Sequence, residues 1–214
     1  MISQTSSQSE VQLQALRWKR WKALVRSRGV RYEDCTFENF KVTTPRQGQV
    51  VESLKDYSSR ISGNVSNGVN VLLIGPTGTG KDHLLMALAR IAVGNDVGET
   101  EWFSGPELFA TVRASISDNR GELELLRRLA NVEVLMISDL IPPSQRVSDF
   151  QADTIYSVVD GRYNRRKPTW MSVNVPNRKA MEATLGVAVV DRLSHDSLVI
   201  SCDWPTYRNK ANGQ

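Results

Sequence analysis

The sequence predicts an α/β protein in which helices cover both faces of a parallel sheet. Two observations lead to this prediction. First, a glycine-rich loop at residues 75–80 follows the apolar run 71–74 and precedes a helical pattern that begins at His83. Second, short apolar segments alternate with helical segments through the rest of the chain. This alternation is typical of parallel strands that are buried on both sides.

Composition and turn residues divide the chain into five segments. They are a Ser- and Gln-rich disordered tail, a basic helix, a connector that leads into the core, the α/β core itself and a C-terminal tail, at residues 1–9, 10–32, 33–69, 70–208 and 209–214. The connector is predicted to hold one helix near Gln47–Ile61, followed by turns at residues 62–68.

Hydrophobic periodicity then places the elements of the core. Its strands are predicted at residues 71–74, 101–104, 132–137, 169–173 and 197–201. The helices after the glycine-rich loop are predicted from residue 83 and at residues 106–117, 121–130, 150–166, 178–184 and 187–194.

The glycine-rich loop predicts a nucleotide site. Residues 75–82 match a phosphate-binding P-loop at every position but the last, where Asp82 replaces the usual Ser or Thr. In such a loop the backbone N–H groups surround the phosphates, the helix N-terminus adds its dipole, and Lys81 places a positive charge beside the β- and γ-phosphates. The predicted ATP contacts are Gly75, Pro76, Thr77, Gly78, Thr79, Gly80, Lys81, Asp82 and His83.

The apolar strand that ends at residue 137 predicts the second half of an ATPase site. In P-loop ATPases one acid after this strand helps to hold Mg²⁺, and the next polarises the attacking water. Here Ser138 stands at the metal position and Asp139 at the position of the base. One hypothesis is that a carboxylate and a hydroxyl have exchanged places, so that Asp82, Ser138 and Asp139 together bind Mg²⁺. The alternative is a site that has lost this chemistry and binds nucleotide weakly or is only structural.

Two further polar residues are candidates for catalysis. Asn174 follows the strand 169–173, where an amide can orient the attacking water and contact the γ-phosphate. It is also explained as a turn-forming residue before Pro176. Arg192 can either reach the phosphate of a neighbouring subunit or pair with Asp191.

The positive charge of the chain is concentrated at its N-terminus. Residues 1–32 hold seven basic residues and one acid, so this segment has a net charge of +6. The whole chain has a net charge of +4, so the remaining residues carry −2. Trp18, Trp21 and Val25 share one face of the predicted helix, with Lys22 in the adjoining basic strip. The tryptophans either dock the helix on the core or, with Lys22, bind a partner protein or nucleic acid.

The remaining composition indicates a cytoplasmic protein without a membrane partner. Residues 1–10 are polar and lack the apolar region of a secretion signal, and no apolar run approaches the length of a membrane span. Cys35 and Cys202 have no metal-ligand spacing around them, which favours reduced thiols.

Several separate segments resemble the bacterial replicative-helicase loaders of the DnaC/DnaI type and the related IstB transposition ATPases, which belong to the AAA+ class. The resemblance covers roughly residues 30–208 and lies in residues 32–40, 78–84, 129–132, 159–162, 167–169, 191–193 and 204–208. It implies an ATP-dependent protein that lacks a C-terminal helical lid, assembles head-to-tail into a spiral and binds single-stranded DNA in the channel of that spiral.

The resemblance also implies partners and site residues. An N-terminal element would hold the replicative DNA helicase in a loader, or a transposase in a transposition ATPase. The family's DNA contacts correspond by position to Arg113, Ile116, Ser148 and Phe150. The chain departs from the loaders at Ser138-Asp139, where they have Asp-Glu, and at Ala188, which aligns with the residue often taken as their arginine finger.

The sequence therefore favours a helicase loader in which hydrolysis is slow or absent and ATP acts mainly as an assembly switch. A transposition ATPase is the first alternative. A nucleotide-independent adaptor that keeps only the fold is the second.

Overall fold

A five-stranded sheet forms the centre of the protein. The computed structural model describes residues 2–117, 121–141 and 146–208, with the backbone alone for residues 2–9 and 117. Every residue of β1, β3 and β4 is buried, in agreement with the apolar strands predicted. The five strands are β1 (Asn70–Ile74), β2 (Thr100–Ser104), β3 (Val134–Ser138), β4 (Thr169–Val173) and β5 (Ser197–Ser201).

The strands lie in the order β2-β3-β4-β1-β5, and all four pairings are parallel. The last residue of β1, Ile74, pairs in register with Val173 of β4 and Ser201 of β5. The carboxyl ends of these strands therefore meet at one edge of the sheet, where ligands bind in open α/β folds. This topology confirms the predicted fold class.

Helices cover both faces of the sheet. They are α1 (Ile2–Arg28), α2 (Pro45–Ser59), α3 (Ile61–Ser66), α4 (Lys81–Gly94), α5 (Gly105–Ser117), α6 (Gly121–Asn131), α7 (Asp149–Tyr163), α8 (Arg178–Leu185) and α9 (Val187–Ser194). The first four share one hydrophobic core with the sheet, and the other five share a second core on the opposite face. Among the described residues, no helix is both long and apolar enough to cross a membrane.

Two parts of the N-terminal third differ from the sequence prediction. The backbone of α1 begins at Ile2 and so runs through residues assigned to a disordered tail; once a helix is nucleated, each further residue adds a hydrogen bond at little cost. The turns predicted at residues 62–68 are wrong for residues 62–66, because α3 occupies Ile61–Ser66, and are confirmed at residues 67–68. Ile61 and Val65 lie one turn apart and are buried, and this burial overrides the turn propensity of Ser, Gly and Asn. The predicted tail 209–214 lies outside the described residues.

Candidate nucleotide-binding site

The P-loop joins β1 to α4 at the carboxyl edge of the sheet. Gly75, Gly78 and Gly80 all have positive φ angles, of 153°, 84° and 86°. A Cβ atom built on Gly75 would lie 2.2 Å from the carbonyl oxygen of Cys202, and one on Gly78 would lie 2.0 Å from Oγ1 of Thr206. Glycine is therefore required both for the backbone conformation and for the close approach of the chain that follows β5.

The side chain of Lys81 points back into the P-loop. Its Nζ donates to the carbonyl oxygens of Gly75 at 2.8 Å and Pro76 at 2.7 Å, and the side chain is buried. Burial lowers the pKa of Lys81 below its ordinary value, against the raising effect of Asp82 and Asp139. An incoming phosphate would give this ammonium group a counter-charge within the loop.

The segment after β5 fixes the P-loop from its other side. Nε1 of Trp204 donates to the carbonyl oxygen of Thr79 at 2.9 Å, and the backbone N–H of Tyr207 donates to the carbonyl oxygen of Gly78 at 2.9 Å. The hydroxyl of Tyr207 donates to the carbonyl oxygen of Lys41 at 2.6 Å. The loop is thus held between the connector and the residues that follow the last strand.

Asp82 occupies the last position of the P-loop and has two partners. Its Oδ1 accepts a hydrogen bond of 2.6 Å from the hydroxyl of Ser172 on β4, and its Oδ2 forms an ion pair with Nη2 of Arg28 from α1. Burial alone would lower the pKa of Arg28, but the charge of Asp82 and the hydrogen bond to it raise this pKa above its ordinary value. The first residue of the predicted metal set is therefore neutralised by a side chain from the N-terminal helix.

Asp139 and Asn174 follow the adjacent strands β3 and β4 and meet at the carboxyl edge of the sheet. Nδ2 of Asn174 donates to Oδ1 of Asp139 at 2.9 Å, and Oδ2 of Asp139 lies 3.8 Å from Nη2 of Arg28. The Asp139 side chain is 50% exposed. Both residues line the same cavity as Lys81, so both can contact a ligand in the P-loop.

Ser138 does not line the cavity that Lys81, Asp139 and Asn174 share. Its side chain is fully buried, and its Oγ accepts a hydrogen bond of 3.1 Å from Nε1 of Trp102. The space between the carboxylates of Asp82 and Asp139 is bridged by the guanidinium group of Arg28. The residues present therefore do not fit the Mg²⁺ site that the exchange hypothesis predicts.

A cavity of about 330 Å³ opens beside the P-loop, within the size range of small-molecule sites. His83 lines it, and Nε2 of its ring donates a hydrogen bond of 2.8 Å to the carbonyl oxygen of Thr36. The ring of Phe40 packs edge-on against His83 at 5.4 Å and against Tyr207 at 5.9 Å. The wall of the cavity is thus aromatic beside the phosphate loop, a surface on which a planar ring can pack. Basic residues also line it: Arg28, Arg31, Lys41, Lys81 and Arg208.

Arg192 lies away from the P-loop of its own chain. It packs near the amino end of β1, where Nδ2 of Asn70 approaches its carbonyl oxygen at 3.5 Å. Its Nε donates to Oδ1 of Asp160 at 2.8 Å, and its guanidinium group stacks on Tyr156 at 5.2 Å. The acid that pairs with Arg192 is therefore Asp160 of α7 and not Asp191.

The four predicted DNA contacts lie on α5 and at the start of α7. The guanidinium group of Arg113 stacks on the ring of Phe150 at 5.0 Å, and Ile116 is exposed one turn further along α5. Ser148 is the N-cap of α7 and accepts a hydrogen bond from the backbone N–H of Gln151. Phe150 is half-buried against the second core. Ser148 and Phe150 thus have structural roles, and the DNA contacts expected of them stay a prediction.

The basic N-terminal helix has both a docking face and an exposed face. Trp21 is 7% exposed and packs under Arg90, so it anchors α1 to the core and is not available to a partner. Trp18 is 58% exposed, and Nζ of Lys22 lies 4.6 Å above its ring while it also pairs with Glu33. Trp21 therefore packs against the core, whereas Trp18 is exposed to solvent, although the sequence places both on one face of the helix.

Sequence reasoning missed Arg28 and Ser172 as members of the site. Arg28 was counted only as part of the basic segment, and Ser172 only as part of a strand. The one signal available was that Asp82, at the phosphate end of a buried helix, requires a cation and a hydrogen-bond donor that the neighbouring sequence does not supply.

The parallel sheet, the P-loop and the polar residues after β3 and β4 define a P-loop nucleotide-binding protein. Within that class, the chain belongs to the family of IstB-like ATP binding proteins, whose sequence model matches residues 17–214.

Curated relatives come from two functional groups. The chain is 29% identical over 194 residues to the replicative helicase loader DnaC of Buchnera aphidicola subsp. Schizaphis graminum, an alignment that covers 85% of this chain and 72% of the relative. It is 28% identical over 157 residues to the insertion sequence IS21 putative ATP-binding protein of Pseudomonas aeruginosa, which covers 68% of this chain and 55% of the relative.

Solved structures support the fold. The crystal structure of the DnaC helicase loader matches with a TM-score of 0.72 and 20% identity, over 80% of this chain and 98% of that one. The replication initiator DnaA bound to AMPPCP and single-stranded DNA matches with a TM-score of 0.64 and 16% identity, over 80% of this chain and 50% of that one.

Because Gly75 lies against the chain after β5, we expect a side chain at this position to destabilise the protein. We expect Gly75→Ala to lower the free energy of unfolding by about 2 kcal/mol or more, because the added methyl group meets the backbone of Cys202. Urea unfolding followed by circular dichroism measures this change.

The matched control is Gly63→Ala in α3, where an added Cβ has no neighbour within 4 Å. We expect this variant to be more stable than the wild type by roughly 0.5–1 kcal/mol, because alanine is the better helix former. Equal effects of the two substitutions would contradict the tight packing at Gly75.

Proposed function

We propose that this protein is an ATP-controlled loader of the replicative DNA helicase. In this proposal ATP binds at the P-loop, the ATP-bound chains assemble, and the assembly contacts single-stranded DNA and the helicase. Hydrolysis is slow or absent. The observation that carries the proposal is the phosphate loop around Lys81, in a chain of which 85% aligns with a curated helicase loader.

The geometry after β3 supports slow hydrolysis. A general base must hold the attacking water in line with the γ-phosphate. Asp139 is the residue at that position, but one of its oxygens accepts from Asn174 and the other faces Arg28. An attacking water must displace one of these partners before Asp139 can hold it. ATP can still drive assembly if it binds one state of the protein better than another.

Nucleotide binding is the first property to test. Lys81→Met keeps the aliphatic chain and removes the charge, so we expect the affinity for a fluorescent ATP analogue to fall about ten- to hundredfold. Equilibrium fluorescence titration measures the Kd. Lys55→Met, on the exposed surface of α2, removes an equal charge and is expected to leave the Kd unchanged.

An unaltered Kd in Lys81→Met would contradict a working phosphate site. It would favour the nucleotide-independent adaptor, in which the fold serves only to display the N-terminal helix.

Head-to-tail assembly would bring the carboxyl edge of the sheet in one subunit against the amino edge of the sheet in the next. The P-loop lies at the carboxyl edge, whereas Arg192 lies near the amino end of β1. In a heterologous interface, one edge of a subunit meets the other edge of its neighbour. Arg192 would then approach the phosphates of the next subunit after exchanging its bond to Asp160.

Single-stranded DNA is proposed to lie across α5 and the start of α7. Arg113, Ile116 and the edge of Phe150 offer a cation, an apolar side chain and an aromatic ring on one surface. Such a combination suits binding that follows the backbone and stacks the bases, without reading their sequence.

We expect Arg113→Ala to weaken binding of a single-stranded oligonucleotide about tenfold, because both a phosphate contact and the support of the Phe150 ring are lost. Fluorescence anisotropy in the presence of ATP measures this, and the slope of log K against log salt should fall by roughly one. Arg60→Ala, an exposed arginine beside α2, is the control and should bind like the wild type. A loss in both variants would indicate only a general charge effect.

The helicase is proposed to bind the exposed face of α1. Trp18 is flanked by Arg17 and lies in a groove that also includes Arg90, and a large aromatic with neighbouring arginines is the composition of interface hot spots. We expect Trp18→Ala to weaken the complex with the purified replicative helicase of the same organism by about thirtyfold, or ~2 kcal/mol. Sedimentation or mass photometry of the complex measures this.

The control is Leu123→Ala, an exposed apolar residue on α6, which should bind the helicase as the wild type does. The transposition alternative makes the opposite prediction. A chain that binds a transposase, and fails to bind the helicase with Trp18 intact, would contradict the loader function and support an IstB-like transposition ATPase.

A further inference from the structure

Arg28 is held in the nucleotide site by contacts on several sides. Nη2 donates to Asp82, lies 3.8 Å from Asp139 and approaches the hydroxyl of Tyr32 at 3.4 Å. The guanidinium carbon lies 4.7 Å from the centre of the Tyr32 ring and 5.5 Å from that of Trp102. The side chain is only 16% exposed. These contacts go beyond those of a surface arginine that pairs by chance.

The backbone on both sides of Arg28 places its side chain at the P-loop. Arg28 is the last residue of α1, and Gly29 follows with a φ angle of 111°. A short 3-10 helix at Val30–Tyr32 then turns the backbone so that the Tyr32 ring stacks on the guanidinium group of Arg28. The buried residues Trp21, Leu24 and Val25 hold α1 against the core one or two turns earlier.

The oxygens expected to bind a divalent cation are already engaged. Each oxygen of Asp82 has a partner, one oxygen of Asp139 accepts from Asn174, and the hydroxyl of Ser138 accepts from Trp102. A hard cation such as Mg²⁺ requires oxygen ligands in near-octahedral geometry and keeps several waters. A guanidinium group instead bridges carboxylates and phosphates through planar N–H donors.

Arg28 also has donor capacity left for a ligand. It lines the cavity beside the P-loop together with Lys81. A phosphate oxygen in this cavity would accept from the guanidinium group, which presents its N–H donors in one plane.

We propose that the guanidinium group of Arg28 takes the place of the divalent cation, so that this protein binds nucleoside triphosphates without Mg²⁺. The inference rests on the proposed nucleotide site at the P-loop. Arg28 neutralises Asp82 and so removes the repulsion between this carboxylate and the phosphates. It also supplies the second positive charge, beside Lys81, that the triphosphate requires.

The test is the affinity of the full chain for a fluorescent ATP analogue, measured in excess Mg²⁺ and in EDTA. We expect the two Kd values of the wild type to agree within about twofold, a difference below ~0.5 kcal/mol. Arg28→Met should weaken binding in EDTA about tenfold or more, because an unpaired Asp82 then faces the phosphates. Mg²⁺ should restore part of that loss, since the carboxylates are released.

Two variants serve as controls. Arg26→Met removes an equal charge from an exposed position on α1 and should behave as the wild type does. Arg28→Lys keeps the charge without the planar set of donors and should fall between the wild type and Arg28→Met. Circular dichroism of each variant checks that α1 stays folded, and the wild-type comparison does not depend on any variant.

The outcomes separate this inference from the proposed function. A wild-type affinity that falls tenfold or more in EDTA would overturn the role of Arg28 while leaving ATP binding established. An Arg28→Met variant that is folded and binds equally well in EDTA would overturn it too. Absence of binding in both conditions would overturn the proposed nucleotide site itself, and this inference with it.

Discussion

The parallel pairing of β1 between β4 and β5 is the constraint on which the rest of the structure depends. Because the strands run in one direction, the P-loop after Ile74 lies beside Asn174 on one side and Cys202 on the other. The site is therefore assembled from segments about one hundred residues apart in the sequence. The chain after β5 bonds to the P-loop through Trp204 and Tyr207 and forms one wall of the cavity.

Charge balance is the second organising feature of the site. A P-loop whose last residue is Asp82 has an anion where phosphates are to bind, and burial makes that anion costly unless it is paired. Arg28 provides the pair from outside the ATPase core, and Ser172 satisfies the remaining oxygen. The N-terminal helix is therefore part of the nucleotide site as well as a candidate surface for a partner. Its positive charge is partly internal, because Arg20 and Lys22 also pair with acids of the core and connector.

The local motifs could be predicted from the sequence, and the contacts between distant segments could not. The strand, glycine loop and helix around Lys81 are contiguous, so their spacing alone predicts the geometry that the structure confirms. Arg28 lies 54 residues before Asp82, and Ser172 lies 90 residues after it, with no periodicity that links them. Trp18 and Trp21 share one helical face in the sequence, and only the packing of the helix decides which one is buried. The roles of the predicted DNA and helicase contacts remain predictions.

Trp102 contacts both Ser138 and Arg28, and its fluorescence therefore depends on the site. Its indole N–H donates to Ser138 at the end of β3, and its ring is close to the guanidinium group of Arg28. Indole emission responds to nearby charge and to hydrogen bonding at the ring nitrogen. A displacement of Arg28 or a rearrangement at the end of β3 would therefore change the intrinsic fluorescence of the protein. The nucleotide site carries its own spectroscopic reporter, at a position where no label has to be introduced.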